Sequence, residues 1–141
     1  MTDTADRLES GDRVELTFPA RGDLIVLARL VTSAISARAG FDIEELEDLR
    51  LAVGELCLLT LHGDDTQQGD LRLELNVLGD AIEVVCTLER AGVASAPQAD
   101  GDDVAQLSEQ ILDALVDEHG RESRDGSVCA WLRKRRGGHA A

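Results

Sequence analysis

The segment GFDIEELEDLRLAVGE, residues 40–55, carries the clearest helix signals in the chain. Asp42 is a favourable N-cap residue, and Glu45, three positions later, can complete a capping box with it. Apolar side chains then recur at intervals of three and four residues, at Ile43, Leu46, Leu49, Val53 and Cys57. This spacing predicts a long amphipathic helix that continues to about His62 and buries the apolar stripe.

Four other segments show the alternation of apolar and polar side chains that is typical of half-buried strands. They are residues 13–18, 71–77, 82–88 and 128–132. Gly79 and Asp80 separate the second segment from the third, which predicts an antiparallel hairpin with a short turn.

Two further helices are predicted. The first runs from Gly22 to Gly40, with the apolar stripe Leu24, Leu27, Ala28, Val31 and Ile35. The second starts at Asp103 and ends at a C-terminal cap at Gly120, with the apolar residues Val104, Leu107, Ile111 and Leu115. Residues 91–103 have no apolar period and are predicted to form a loop.

The predicted order of elements is βααββαβ. Helices with one apolar stripe and strands with one apolar face bury each other best as two layers. We therefore expect an α+β sandwich, in which a mostly antiparallel four-stranded sheet is covered on one face by three helices. The chain length of 141 residues suits one core. We expect a single domain over residues 12–136, with a flexible acidic leader (1–11) and a flexible tail (137–141).

The charge balance limits the classes of partner. The chain has 14 Lys and Arg against 28 Asp and Glu, giving a formal net charge of −14, and only 2% aromatic residues. We expect neither a basic face nor aromatic side chains on which bases could stack. Binding to nucleic acid or to an anionic lipid surface is therefore disfavoured. No apolar run approaches the roughly 20 residues that span a bilayer, and residues 1–11 lack a signal-peptide pattern. We expect a cytoplasmic protein.

Three cysteines, Cys57, Cys86 and Cys129, are widely spaced, and each lies in an apolar segment. An odd number at these spacings matches neither a disulfide framework nor a zinc motif. We expect all three to pack in the core and predict no metal site. Whether any of them responds to oxidants is left open.

Residues 40–55 resemble the second helix of bacterial anti-sigma factor serine kinases of the RsbW and SpoIIAB type, which are members of the GHKL ATPase superfamily. The resemblance extends to Phe18-Pro19-Ala20, Ala28-Arg29-Leu30 and Asp125-Gly126-Ser127. It covers about residues 12–135 and implies the GHKL fold, with ATP between the second helix, the strand after the hairpin and a flexible lid. It also implies a kinase that phosphorylates an anti-anti-sigma (STAS) protein and otherwise holds a sigma factor inactive, usually as a homodimer.

The resemblance assigns Glu55 to the general base of the family's N-box. The family has an Asn four residues later, one turn along the same face, to ligate Mg²⁺. Here that position is Leu59, which cannot bind a hard cation. Glu55 is therefore interpreted as a vestigial base, or as one solvated carboxylate among the many on this helix. Thr60 lies about 100° further round the helix and is a weak substitute ligand.

Other nucleotide-binding positions also depart from the family. Its Asp-x-Gly-x-Gly loop corresponds here to Arg90, Gly92 and Ala94, so a cation replaces the carboxylate that accepts from adenine. Three carboxylates between Asp100 and Asp103 would repel a triphosphate at the lid. Losing one hydrogen bond to a charged acceptor costs roughly 1.5–3 kcal/mol. We therefore expect a degenerate pocket without a cofactor; ATP and magnesium would bind only if the pocket is retained against this expectation.

The resemblance places Arg29 where the family uses an arginine to contact both sigma factor and anti-anti-sigma protein. Alternatively, Arg29 lies on a solvated helix face and its stem covers Val26 and Leu30. The first strand lies where the family dimerises, and its edge needs pairing or covering.

The leading hypothesis is an anti-sigma-factor-like regulator that acts by binding. The first alternative is an active ATP-dependent serine protein kinase that phosphorylates a STAS protein. The second is an adaptor or sensory subunit that binds neither sigma factor nor ATP.

Overall fold

The computed structural model describes residues 8–61, 69–89, 102–124 and 127–137. Within these ranges the chain forms three helices, α1 (Ile25–Arg38), α2 (Ile43–Leu61) and α3 (Asp102–Leu115). The strands are β1 (Arg13–Pro19), β2 (Asp70–Leu78), β3 (Ala81–Glu89), β4 (Glu118–Arg124) and β5 (Ser127–Arg135). A short 3₁₀ turn, Gly22–Leu24, leads into α1. None of the helices in these ranges is both long enough and apolar enough to cross a lipid bilayer.

The described strands form one antiparallel sheet in the order β1-β2-β3-β5-β4. β2 and β3 make the predicted hairpin, in which Leu78 pairs with Ala81 and Gly79 has a φ of 60°. One face of the sheet carries the fully buried side chains of Leu71, Leu73, Leu75, Ile82, Val84 and Cys86. The helices pack on this face, so the predicted α+β sandwich is confirmed.

The prediction of four strands was wrong, because the described sheet has five. The additional strand is β4, and α3 ends at Leu115 and not at Gly120, which lies within β4. The sequence of β4, EHGRESR, has no alternation of apolar and polar residues from which a strand could be predicted. Among the described strands β4 pairs only with β5, and it therefore lies at an edge of the sheet. Gly120 lies against Trp131: a Cβ at residue 120 would stand 2.8 Å from the indole Nε1.

The predicted apolar stripes of the helices are buried in part. The members that lie in the core are Ala28, Ile35, Leu49, Val53 and Cys57. The prediction was wrong for Ile43, Leu27 and Leu107, which are 80%, 38% and 59% exposed.

α1 also buries Thr32 and Ser36, whose hydroxyls each donate at 2.7 Å to a backbone carbonyl one turn earlier. A hydroxyl that makes such a hydrogen bond can be buried among apolar side chains. A prediction based on apolar residues alone therefore misses these positions.

The start of α2 is fixed by the predicted capping box. Asp42 Oδ1 accepts from the Glu45 amide at 2.8 Å, and Glu45 Oε1 accepts from the Asp42 amide at 3.0 Å. Glu45 is only 4% exposed, and its Oε2 also accepts from the Gly137 amide at 2.7 Å. One carboxylate therefore joins the first turn of α2 to the chain that follows β5.

The chain before β1 is hydrogen-bonded to the domain where it is described. The Leu8 amide donates to the Arg38 carbonyl at 3.2 Å, and the Gly11 amide donates to the Val77 carbonyl at 2.8 Å. The predicted leader is thus described from Leu8 onward, whereas residues 138–141 of the predicted tail lie outside the described residues.

Candidate functional site

Arg29 of α1 lies across α2 at Gly54. A Cβ added at Gly54 would stand 2.7 Å from both Nε and Nη2 of Arg29, and 3.1 Å from its Cζ. These distances are shorter than van der Waals contact allows, so the absence of a side chain at residue 54 lets the guanidinium lie against the helix backbone. The contact joins two residues that the sequence places on separate helices.

Arg29 as a whole is partly exposed, but its Nε is buried and has no hydrogen-bond acceptor among the described residues. A buried N–H without a partner costs free energy that other contacts must offset. Packing against Gly54 therefore positions the guanidinium, and the side chain as a whole stays partly exposed.

Exposed apolar side chains flank this contact on both helices. On α1, Val26 is 48% exposed and Leu30 is 62% exposed. On α2, Leu51 and Leu58, three residues before and four residues after Gly54, are 53% and 36% exposed. Residues at such spacings are neighbours on a helix face. We call this set the Arg29 surface: Arg29, Val26, Leu30, Leu51 and Leu58.

Glu55, the predicted vestigial base, is joined to α3. Its Oε1 accepts a hydrogen bond of 3.1 Å from the hydroxyl of Ser108, which is only 4% exposed. The catalytic assignment of Glu55 stays a prediction. Ser108 was not foreseen from the sequence, because the predicted stripe of this helix omits its face; its signal is its position four residues before the fully buried Leu112.

Leu59 lies in the core, with 4% of its surface exposed. An alkyl side chain has no lone pair for Mg²⁺, which requires oxygen ligands. Thr60, the substitute considered above, is fully buried, and its hydroxyl donates to the Leu56 carbonyl at 2.8 Å. The donors present on this turn of α2 therefore do not fit a magnesium ion held in the family's manner. Elsewhere in the described residues, no three His, Cys, Asp or Glu side chains converge as metal ligands would.

The remaining predicted pocket positions, Arg90, Gly92 and Ala94, lie outside the described residues, as does the region around Asp100. Their assignment stays a prediction from the sequence.

The opposite face of the sheet carries an open groove of about 640 Å³. Val85, Trp131 and Arg133 line it, and Arg133 is paired with Glu83 at 2.9 Å and with Glu118 at 3.2 Å. Because these charges are paired within the domain, the groove resembles a solvated sheet face more than a ligand site. The helical face with Arg29 is the better candidate.

Comparison with protein families agrees with the fold. Residues 18–133 match the family of histidine kinase-like ATPase domains, and this range includes Arg29, Glu55 and Ser108. The chain belongs to this family. The membership inferred from residues 40–55 is therefore confirmed.

Individual relatives extend the comparison. The serine-protein kinase RsbW of Bacillus velezensis is 25% identical over 138 residues, covering 88% of this chain and 86% of the relative. The protein of the same name from Bacillus subtilis strain 168 is 24% identical over 138 residues, with the same two coverages of 88% and 86%. A third, from Listeria innocua, is 35% identical over 75 residues, covering 52% of this chain and 48% of the relative. Two of these three alignments thus run over most of the fold.

Proposed function

We propose that this chain is an anti-sigma-factor-like regulator in a bacterial partner-switching system, and that it acts by stoichiometric protein binding. Its partners are a sigma factor, an anti-anti-sigma (STAS) protein, or both. The observation that carries the proposal is the Arg29 surface, an exposed apolar area around an arginine positioned by Gly54. Its ATP pocket is degenerate in this proposal.

The chemistry of the Arg29 surface suits protein binding. Arginine is enriched among the residues that contribute most to interface affinity, and contiguous exposed apolar areas mark interaction sites. The terminal N–H groups of Arg29 are suited to bind a partner carboxylate in bidentate fashion. Val26 and Leu30 would then exclude water from that ion pair.

The described chemistry of α2 supports binding without phosphorylation. Leu59 offers no metal ligand, and Glu55 is hydrogen-bonded to Ser108. A kinase that transfers phosphate from ATP depends on a metal to neutralise the phosphate charge. Arg90 and Ala94 correspond to an Asp and a Gly of the family's nucleotide-binding loop, and these substitutions also disfavour ATP binding.

The net charge of −14 supports a basic partner. Sigma factors carry basic surfaces for promoter DNA, and complementary charge accelerates association and disfavours wrong partners. High salt should therefore slow capture of the partner.

A homodimer belongs to the same proposal. β1 stands at one edge of the described sheet and pairs there only with β2, so its outer backbone groups are open to pairing or covering. Equilibrium sedimentation at tens of micromolar should report a dimer; a monomer alone would contradict this part of the proposal.

The first alternative is an active serine protein kinase. The resemblance assigns Glu55 to the family's general base, and the partial burial of Glu55 on α2 favours this alternative. Incubation with ATP, Mg²⁺ and a purified STAS protein distinguishes the two. Phosphoserine on the STAS protein would establish the kinase.

The test of the binding proposal is affinity capture from the native cell, followed by binding measurements with the purified partner. A sigma factor or STAS protein should be captured by the natural chain, and Arg29→Glu should reduce its affinity at least tenfold. Arg38→Glu is the matched control, because Arg38 is an exposed arginine at the other end of α1. Equal losses of affinity in the two variants would show that the change in net charge, and not the position of Arg29, causes the effect. The proposal would be overturned if neither a sigma factor nor a STAS protein were captured.

A further inference from the structure

The outer face of α2 lies between two contacts with the neighbouring helices. On one side Gly54 meets the guanidinium of Arg29 on α1, and on the other side Glu55 accepts the hydrogen bond from Ser108 on α3. Gly54 and Glu55 are adjacent, and successive residues of a helix project about 100° apart. α2 is therefore the middle helix of the layer, with a narrow face turned outward between α1 and α3.

This outer face of α2 is apolar at two positions. Leu51 precedes Gly54 by three residues and Leu58 follows it by four, which places both leucines between the two contacts. Both are exposed to solvent. Glu44, seven residues before Leu51, is exposed on the same line near the start of α2. The outer face thus runs for about 21 Å from a carboxylate to two leucines.

Leu107 brings a third leucine to this side of the helical layer. Its neighbour Ser108 faces α2, and Glu109 lies on the β4 side of α3, where it pairs with Arg121 at 3.8 Å. Residues 107 and 109 project on opposite sides of Ser108, so Leu107 lies away from β4 and towards the outer face of α2. Leu107 is more than half exposed. Exposed apolar side chains from all three helices therefore face the same side of the layer.

We infer, resting on the proposed function, that the Arg29 surface together with Leu107 receives an amphipathic helix of the protein partner. The apolar stripe of that helix lies on Leu51, Leu58 and Leu107. An acidic side chain of the helix pairs with Arg29, and a basic side chain about three turns away pairs with Glu44.

A helix fits this surface better than an extended segment does. The surface consists of side chains on helices whose backbone groups are already hydrogen-bonded, so it offers no ladder to an incoming strand. An extended segment would lose water from its amides over apolar side chains and gain no acceptors. A helix satisfies its own backbone, and its side chains seven residues apart are separated by about 10.5 Å, which matches the separation of Leu51 and Leu58.

The charges of the surface favour one alignment of the bound helix. Neither Arg29 nor Glu44 forms an ion pair with another residue that the structure describes, whereas Glu47 on α2 is paired with Arg50 at 2.9 Å. The surface thus presents an unpaired cation beside Gly54 and an unpaired anion near the start of α2. A partner helix with the opposite charges at this separation gains both ion pairs, and a helix with its charges reversed meets two repulsions.

The test selects binders to the immobilised full chain from a phage library of random peptides about four helical turns long. We expect the enriched peptides to share apolar residues at intervals of three and four, with an acidic residue among them, and to gain helical circular dichroism on binding. Leu51→Asp and Leu107→Asp should each weaken these peptides at least tenfold. Both residues are more than half exposed, so both variants should fold. Leu78→Asp is the matched control, because Leu78 is an exposed leucine at the turn between β2 and β3 and receives the same charge.

The inference would be overturned by a selection that enriches no peptide, or by enriched peptides without helical spacing. Unchanged affinity in Leu51→Asp and Leu107→Asp, or an equal loss in Leu78→Asp, would also overturn it. A dimer that Leu51→Asp dissociates in sedimentation would assign the surface to a second copy of the chain and have the same consequence. Failure to capture a sigma factor or a STAS protein would overturn the proposed function alone, since the peptide selection uses no cellular partner.

Discussion

The guanidinium of Arg29 lies so close to the backbone of Gly54 that a methyl group at residue 54 would stand 2.7 Å from Nε and from Nη2. The contact joins the predicted partner-binding residue on α1 to the helix that carries Glu55. It also explains a glycine inside a buried stretch of α2, where an alanine would otherwise favour the helix.

Gly54→Ala should displace Arg29. In a helix interior this change normally stabilises by about 1 kcal/mol, but here part of the gain is lost because the guanidinium must move. We expect the full gain only when Arg29 is also replaced by alanine. Urea unfolding of the four proteins of this double-mutant cycle measures the coupling, and strictly additive effects would contradict the contact.

Ser108→Ala should destabilise the protein by about 1 kcal/mol, because Glu55 Oε1 loses its donor. Glu55→Ala provides the matched background: once the carboxylate is gone, removal of the Ser108 hydroxyl should cost clearly less. Equilibrium unfolding of the single and double variants checks this. If Ser108→Ala costs the same in both backgrounds, the hydrogen bond contributes nothing to stability.

Glu45→Ala should cost about 2 kcal/mol, because the amides of Asp42 and Gly137 both lose an acceptor in a site with little access to water. Glu44→Ala is the control, since Glu44 is exposed in the same helical turn and its removal should cost less than about 0.5 kcal/mol. Hydrogen exchange gives a second readout: the Gly137 amide should exchange faster in Glu45→Ala alone. Equal effects of both variants would disprove the link between α2 and the end of β5.

The β1–β2 pair should respond to acid through Glu15. A hydrogen bond from Arg72, 2.6 Å long, and the charge of Arg72 hold the pKa of Glu15 below its ordinary value. Because the pKa is lowered in the folded state, this stabilisation is present above the unfolded pKa and is lost as the pH falls through the folded one.

Arg72→Gln should therefore raise the pKa of Glu15 towards its ordinary value, and NMR titration of the Glu15 carboxyl carbon measures the change. Since both groups are exposed, high salt should reduce the difference between the two proteins. An ordinary pKa for Glu15 in the natural chain would contradict the ion pair.

Local signals account for what the sequence predicted well. The capping box at Asp42 and Glu45 and the alternation on either side of Gly79 involve residues close in the chain, so α2 and the hairpin follow directly from the sequence. Family membership was also predicted correctly, because residues 40–55 resemble the second helix of a known family, and residues 18–133 match the family of histidine kinase-like ATPase domains.

The features that escaped prediction depend on contacts between distant residues. β4 is defined by pairing with β5 and has no apolar face of its own. The contact of Arg29 with Gly54, and the hydrogen bond from Ser108 to Glu55, require the relative positions of helices that no local pattern specifies. For the same reason Ile43 continues an apolar period and yet lies in solvent.

We propose that a kinase-like fold here binds protein partners although its nucleotide chemistry has been lost. Isothermal titration of the full chain with ATP and Mg²⁺ tests it most directly. We predict no saturable heat, corresponding to a Kd of about 1 mM or weaker. A saturable isotherm with a Kd of about 1 μM would contradict the claim and return Glu55 to the role of a working base.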